Sequence, residues 1–178
     1  MSHQHYTWDQ TFRELFERSL ERYNSGDTNL DNYYTTDDLL FLAAIGCKTR
    51  EFFDFVEDYG DAQTPSIETA ILIAAVRRDY FLTIQHGQAS TTEMTADELP
   101  GRNEELAGHP WLPRIIQKAR NKLRGENDPD IMYGCGGDRR FFSQYDIHPA
   151  DFLRVVWAAG DNDQRIIDYI NQRSAGKG

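Results

Sequence analysis

Residues 132–142 read MYGCGGDRRFF and combine a cysteine, an aspartate and two arginines with a glycine-rich stretch. Asp138 has the character of a helix N-cap, which places Arg139 and Arg140 in the first turn of the helix that follows. Cations are disfavoured there by the helix dipole. A bound anion would resolve the conflict, because the free backbone N–H groups at a helix start attract negative charge. Gly134, Gly136 and Gly137 would let such a ligand approach the main chain closely, although glycines before a helix also serve as a plain turn. The stretch is not a Walker loop, since the Gly-Lys-Ser/Thr ending is absent, and no strand precedes it as a dinucleotide fingerprint requires. Cys135 between glycines has the setting of a nucleophile, with His109 or His148 as possible bases. Nothing in the sequence brings these groups together.

A second charged group interrupts the apolar segment 70–84, AILIAAVRRDYFLTI. On a wheel of 100° per residue, Ala70, Ile73, Phe81 and Ile84 fall within about 40° of Arg77. Arg78 shares its face with Ile67, Ile71 and Leu82. Asp79 falls on the wetter side with Glu68 and Thr83. Arginines among apolar neighbours need negative or hydrogen-bonding companions, and two readings follow. Arg77 and Arg78, with Asp79 beside them, line an anion or ligand site, or they form structural ion pairs inside the fold.

Arg114, Lys118, Arg120, Lys122 and Arg124 add a basic helix at about 112–125 with no acidic member; Arg114 and Lys118 share one face and could rim an anion site, or form a solvated face. The five histidines, including His3 and His5, show no metal-ligand spacing. No carboxylate pair stands out for acid–base work. No metal site is expected, and the residues name no cofactor.

The elements that must position these groups are helices. Trp8, Phe12, Leu15, Phe16, Leu20 and Tyr23 recur at steps of three and four, which predicts a helix over about 8–24, with Thr7 and Gln10 at capping-box spacing. Helices are expected at about 35–46 and 49–59, the second stopping at Gly60. Thr64-Pro65 reads as an N-cap followed by proline at the first position of a long apolar helix to about 85. Residues 86–110 lack apolar periodicity and read as a connector, with a short helical turn near 95–99. Further helices are expected at about 112–125, 138–145, 149–159 and 162–173, and no convincing strand. Shifted by 100 residues, 41–61 lies over 141–161, with Phe41, Phe52, Val56, Gly60 and Asp61 matching Phe141, Phe152, Val156, Gly160 and Asp161. The expected fold is therefore all-α: a single domain over 1–178, a bundle of two related hairpins (about 35–60 and 137–160) around a central apolar helix. Pseudo-repeat halves 30–85 and 111–173 would be joined by the connector 86–110.

The chain has 178 residues, 39% hydrophobic and 27% charged, as expected of a globular protein able to build a core. Its net charge is −10, which argues against nucleic acid as a partner. The longest purely apolar run, AILIAAV, is far short of the ~20 residues that span a bilayer, so no membrane partner is expected. Two cysteines without paired spacing and the lack of a signal-like N-terminus suggest the cytoplasm.

ETAILIAAVRRDYFL, GHPWLPRIIQKARNKLRGE and MYGCGGDRRFF followed by HPADFLRVVWAAG together resemble a bacterial family known as domain-of-unknown-function family 5069 (DUF5069). The likeness runs from about residue 30 and is densest at 110–160. It implies a bacterial cytoplasmic protein and no particular reaction. It directs interest to Arg114, Lys118, Cys135, Asp138 and Arg139, which sit within the matching words. Two functions are expected from these observations. One is binding of a small anionic ligand, with or without catalysis, through the arginines and the glycine-rich helix start. The alternative is a helical module for protein partners, in which the arginines are internal ion pairs.

Overall fold

Phe12 and Phe16 on α1 (Trp8–Asn24) meet Phe52 on α3 (Thr49–Ala62) with ring centroids 4.8 and 6.3 Å apart, edge to face. All three rings are buried, and each contributes about 1.5–3 kcal/mol on leaving water. The computed structural model describes residues 5–175; His3 lies outside them. The chain divides into two compact units, Met1–Ala89 and Ser90–Gly178.

In the first unit, α1 packs against α3 and against α4 (Ile67–Thr83). A single 3-10 turn at Leu30–Asn32 leads to α2 (Thr36–Ala44). Thr35 caps α2 in a full capping box. Its hydroxyl accepts from the Asp38 N–H, and the Asp38 carboxylate accepts from the Thr35 N–H at 2.8 Å. Thr7 precedes α1 but its side chain makes no cap bond, so the expected capping box there is not formed.

Two expected boundaries move for identifiable reasons. Gly60 does not end α3; it lies inside it. A Cβ at that position would come within 2.6 Å of the Tyr23 ring, so glycine is there for close packing against α1. The stop falls instead at Gln63, in the left-handed region at φ 56°. Pro65 is not the first residue of α4. The Thr64–Pro65 bond is cis, and Ser66 caps the helix by accepting from the Thr69 N–H.

The second unit begins with a connector held at Met94, whose N–H donates to the Glu126 carbonyl at 2.7 Å. A 3-10 turn at Ala96–Glu98 lies where a short helical turn is expected. A small antiparallel pair, β1 (Glu105–Leu106) and β2 (His109–Pro110), then appears where no strand is expected. Ala107 and Gly108, both at positive φ, form its tight turn, a local signal too short for periodicity to register. Four helices follow: α5 (Leu112–Arg124), α6 (Gly136–Tyr145), α7 (Pro149–Ala159) and α8 (Asp163–Ala175). α5 and α8 pack on α7, and α8 also meets α6. Phe152, Leu153 and Val156 of α7 are at most 1% exposed.

The fold is all-α apart from the two-residue strands. The α2–α3 and α6–α7 turns, 100 residues apart, share their hydrogen bonds. Cys47 N–H donates to the Leu42 carbonyl and Ile147 N–H to the Phe142 carbonyl, both at 2.9 Å; Phe52 N–H reaches Lys48 O and Phe152 N–H reaches His148 O, both at 3.1 Å. Among the described residues, no helix is long and apolar enough to cross a membrane.

Candidate functional site

Asp138 carries the local logic of the second unit. It is not the N-cap of α6. The helix starts two residues earlier than expected, at Gly136, with Cys135 as N-cap and no side-chain cap bond. Asp138 therefore occupies the third helical position. An aspartate there would ordinarily reach back to the cap, but this carboxylate points inward and is fully buried. Oδ2 accepts from Lys118 Nζ at 2.5 Å and from the Gly134 N–H at 2.9 Å, while Oδ1 accepts from Trp111 Nε1 at 3.0 Å. Three donors, one of them charged, make the buried carboxylate tolerable.

Lys118, on α5, is 3% exposed. It lies inside the unit rather than on a rim, and its ammonium also donates to Cys135 Sγ at 3.3 Å. The Asp138 carboxylate adds to the effect of burial on nearby Tyr133, whose hydroxyl is pushed well above its ordinary value, burial being the larger cause. That hydroxyl donates to the Pro149 carbonyl at 2.8 Å.

Trp111 links the buried cluster to the surface. It stands at φ 72° immediately before α5, an uncommon conformation for a bulky residue. Its ring rests on Gly137, where a Cβ would come within 2.5 Å of the indole. Beside it is a cleft of about 190 Å³ lined by Trp111, Gly137, Arg102, Arg140 and Gln144, with Pro110 and Phe141. Among the described residues, neither Arg102 nor Arg140 has a hydrogen-bonding or ionic partner, and no carboxylate lines the cleft. Gly136 and Gly137 are the first two residues of α6, so their N–H groups have no acceptor within the helix.

Arg139 and Arg140 lie just past the first turn rather than in it, because the helix begins at Gly136. The dipole conflict expected from their position is thereby relieved. Arg139 donates to the Gly134 carbonyl at 2.8 Å and fastens the glycine loop. Arg114 donates to the Pro100 carbonyl at 2.7 Å and lies 5.7 Å from the Trp111 ring centre, fixing the connector near Arg102. The two candidate bases have other tasks. His109 meets the Tyr145 hydroxyl and Asn171 Oδ1, each at 2.8 Å, and His148 Nδ1 accepts from the Ala150 N–H.

Arg77, Arg78 and Asp79 belong to the first unit. Arg77 is buried, donates to Gln85 Oε1 at 2.6 Å and lies over the Phe81 ring. Arg78 lies over the Trp8 ring, is 3.5 Å from Asp79 Oδ1, and is within 3.2 Å of His5 Nδ1. Asp79 itself is exposed. Among the described residues, no cluster of three or more His, Cys, Asp or Glu side chains could hold a metal.

Sequence reasoning missed Arg102, which sits in a connector without periodicity, and the pairing of Trp111 with Asp138. A helical wheel of 112–124 offers one clue, since Lys118 falls on the stripe of Ile115 and Ala119.

The second unit is thus a small helical unit with an internally paired Lys–Asp centre and a cationic cleft above it. Residues 99–177 match the family model described as domain of unknown function (DUF5069), so the likeness lies in the second unit. The likeness read from about residue 30 is found from residue 99 onward. No curated protein and no solved structure matches the chain.

Proposed function

We propose that the second unit binds a small anionic ligand, of the phosphate or carboxylate class, in the cleft at the start of α6. One observation carries this reading: two arginines without protein partners, Arg102 and Arg140, border a single cleft that contains no carboxylate. Each guanidinium offers a planar fork suited to two oxygens of the ligand. The N–H groups of Gly136 and Gly137 add donors and the positive end of the helix dipole. A space of about 190 Å³ fits a compact metabolite. Trp111 forms one wall, and Asp138 and Lys118 hold that wall in place from beneath.

Cys135 and Arg139 shape the loop in this reading, and Asp138 cannot touch ligand because it is fully buried. Arg77 and Arg78 are engaged within the first unit and take no part. The setting we adopt is the bacterial cytoplasm implied by the family resemblance. The matched turns at 46–48 and 146–148 favour reading the two hairpins as an internal repeat.

Thermal unfolding with inorganic phosphate, sulfate and citrate tests the proposal. A ligand at a hundred times its Kd raises stability by about 2.7 kcal/mol. The expected result is a saturable rise in Tm that Arg140→Ala and Arg102→Ala each abolish. Both side chains are exposed, so the ligand-free Tm should change by no more than ~0.5 kcal/mol equivalent. An equal rise in the double variant would assign the effect to bulk salt and end the proposal.

A further inference from the structure

The exposed side of α4 carries Glu68, Asp79 and Thr83, and among them Leu72 is 41% exposed. A leucine there breaks the polar side that a surface helix ordinarily shows to water. Leu72 and Ile71 form the floor of a groove of about 590 Å³ between α1 and α4. Asp9, Glu14 and Glu17 stand along the α1 wall. Their spacing keeps them on one side of that helix over about two turns. Among the described residues these three carboxylates have no hydrogen-bonding or ionic partner. The groove's own cation, Arg13, is already 3.3 Å from Glu68 on the opposite wall.

We infer that this groove docks a cationic amphipathic helix from a protein partner, with its apolar stripe on Ile71 and Leu72 and its lysines or arginines facing Asp9, Glu14 and Glu17. Charge selects the occupant. A two-fold pairing with a second copy would set these carboxylates against each other, and a nucleic acid or anionic lipid surface would be repelled. The walls are helices with no free sheet edge, so an extended peptide cannot gain backbone pairing and a helix laid in the groove is the mode that fits. The inference is independent of the anion cleft, which lies in the other unit.

The test uses the full chain and a fluorescein-labelled synthetic helix of leucine and lysine, read by fluorescence anisotropy. A second peptide replaces each leucine by serine, and a third replaces each lysine by glutamate. Saturable binding of the first peptide only, weakening as salt rises, is expected. Leu72→Asp and Glu17→Lys should each weaken it about tenfold or more, as central groove contacts do. Both positions are exposed, and circular dichroism verifies their fold. Asp161→Lys, which changes net charge equally in the second unit, should leave binding within about twofold. Absence of binding, equal binding of the serine peptide, or equal loss in Asp161→Lys would overturn the inference. So would a dimer in sedimentation that Leu72→Asp dissolves, since the groove would then belong to a second copy.

Discussion

Lys118 and Asp138 show why a buried ion pair says more about structure than about catalysis. Twenty residues apart in sequence, they meet where neither touches water, and Trp111 and Gly134 complete the carboxylate's partners. Removing one member leaves an uncompensated charge. Lys118→Ala or Asp138→Asn is expected to cost about 3–5 kcal/mol in urea unfolding, while Lys118→Met with Asp138→Leu should recover much of that loss. Tyr23 supplies a titration at the same scale. Its hydroxyl donates to Asp61 at 2.8 Å, and that bond, followed by burial, pushes its pKa up to about 12. A raised folded value means the contribution is complete below the ordinary tyrosine value near 10 and is lost as pH rises through about 12. Ultraviolet titration should show, among several late-ionising tyrosines, a step near pH 12 that disappears in Tyr23→Phe. None of these pairings was legible in advance. Long-range partners leave no local pattern, and the one clue, a lysine on an apolar stripe, names no partner.

Helices were the most legible level, because apolar residues repeating at three and four steps must share a buried face wherever the chain folds. α1, α5 and α7 lie at the expected positions to within a residue or so. The ends were harder. Gly60 reads as a stop, yet it is retained for its lack of a side chain against Tyr23, a contact only the tertiary structure creates. Gly60→Ala should therefore destabilise the first unit by about 1–3 kcal/mol despite alanine's better helix propensity, as overpacked sites do. The start of α2 behaves conventionally: losing the Thr35 hydroxyl in Thr35→Ala should cost about 1 kcal/mol. Denaturant midpoints for both variants check these values. Asp138 misled for a related reason. Its residue type suits a cap, but interior donors outcompeted the cap position.

At the scale of the molecule, two units each bury their own aromatic and aliphatic centre. The connection between them includes Ile84, His86, Gly87, Gln88 and Ala89, all exposed, with His86 and Gly87 at positive φ. Such a stretch is the expected site of first cleavage in limited proteolysis, and mass spectrometry should find fragments ending near residues 84–89. The sequence pattern points to one all-α bundle over 1–178, with both hairpins around a central helix. The division at residue 89 was not legible, since a connector's polarity does not reveal which unit retains it. Arg102 illustrates the consequence, because its relevance depends on where the connector folds back near α5.

Trp111 leaves the protein with an intrinsic optical reporter. One edge of its indole is tethered to a hidden carboxylate, and one face borders the opening where solvent enters. Emission from this ring will register any guest that displaces that solvent, with no dye attached. Trp8, under a guanidinium in the other half of the chain, provides an internal reference colour.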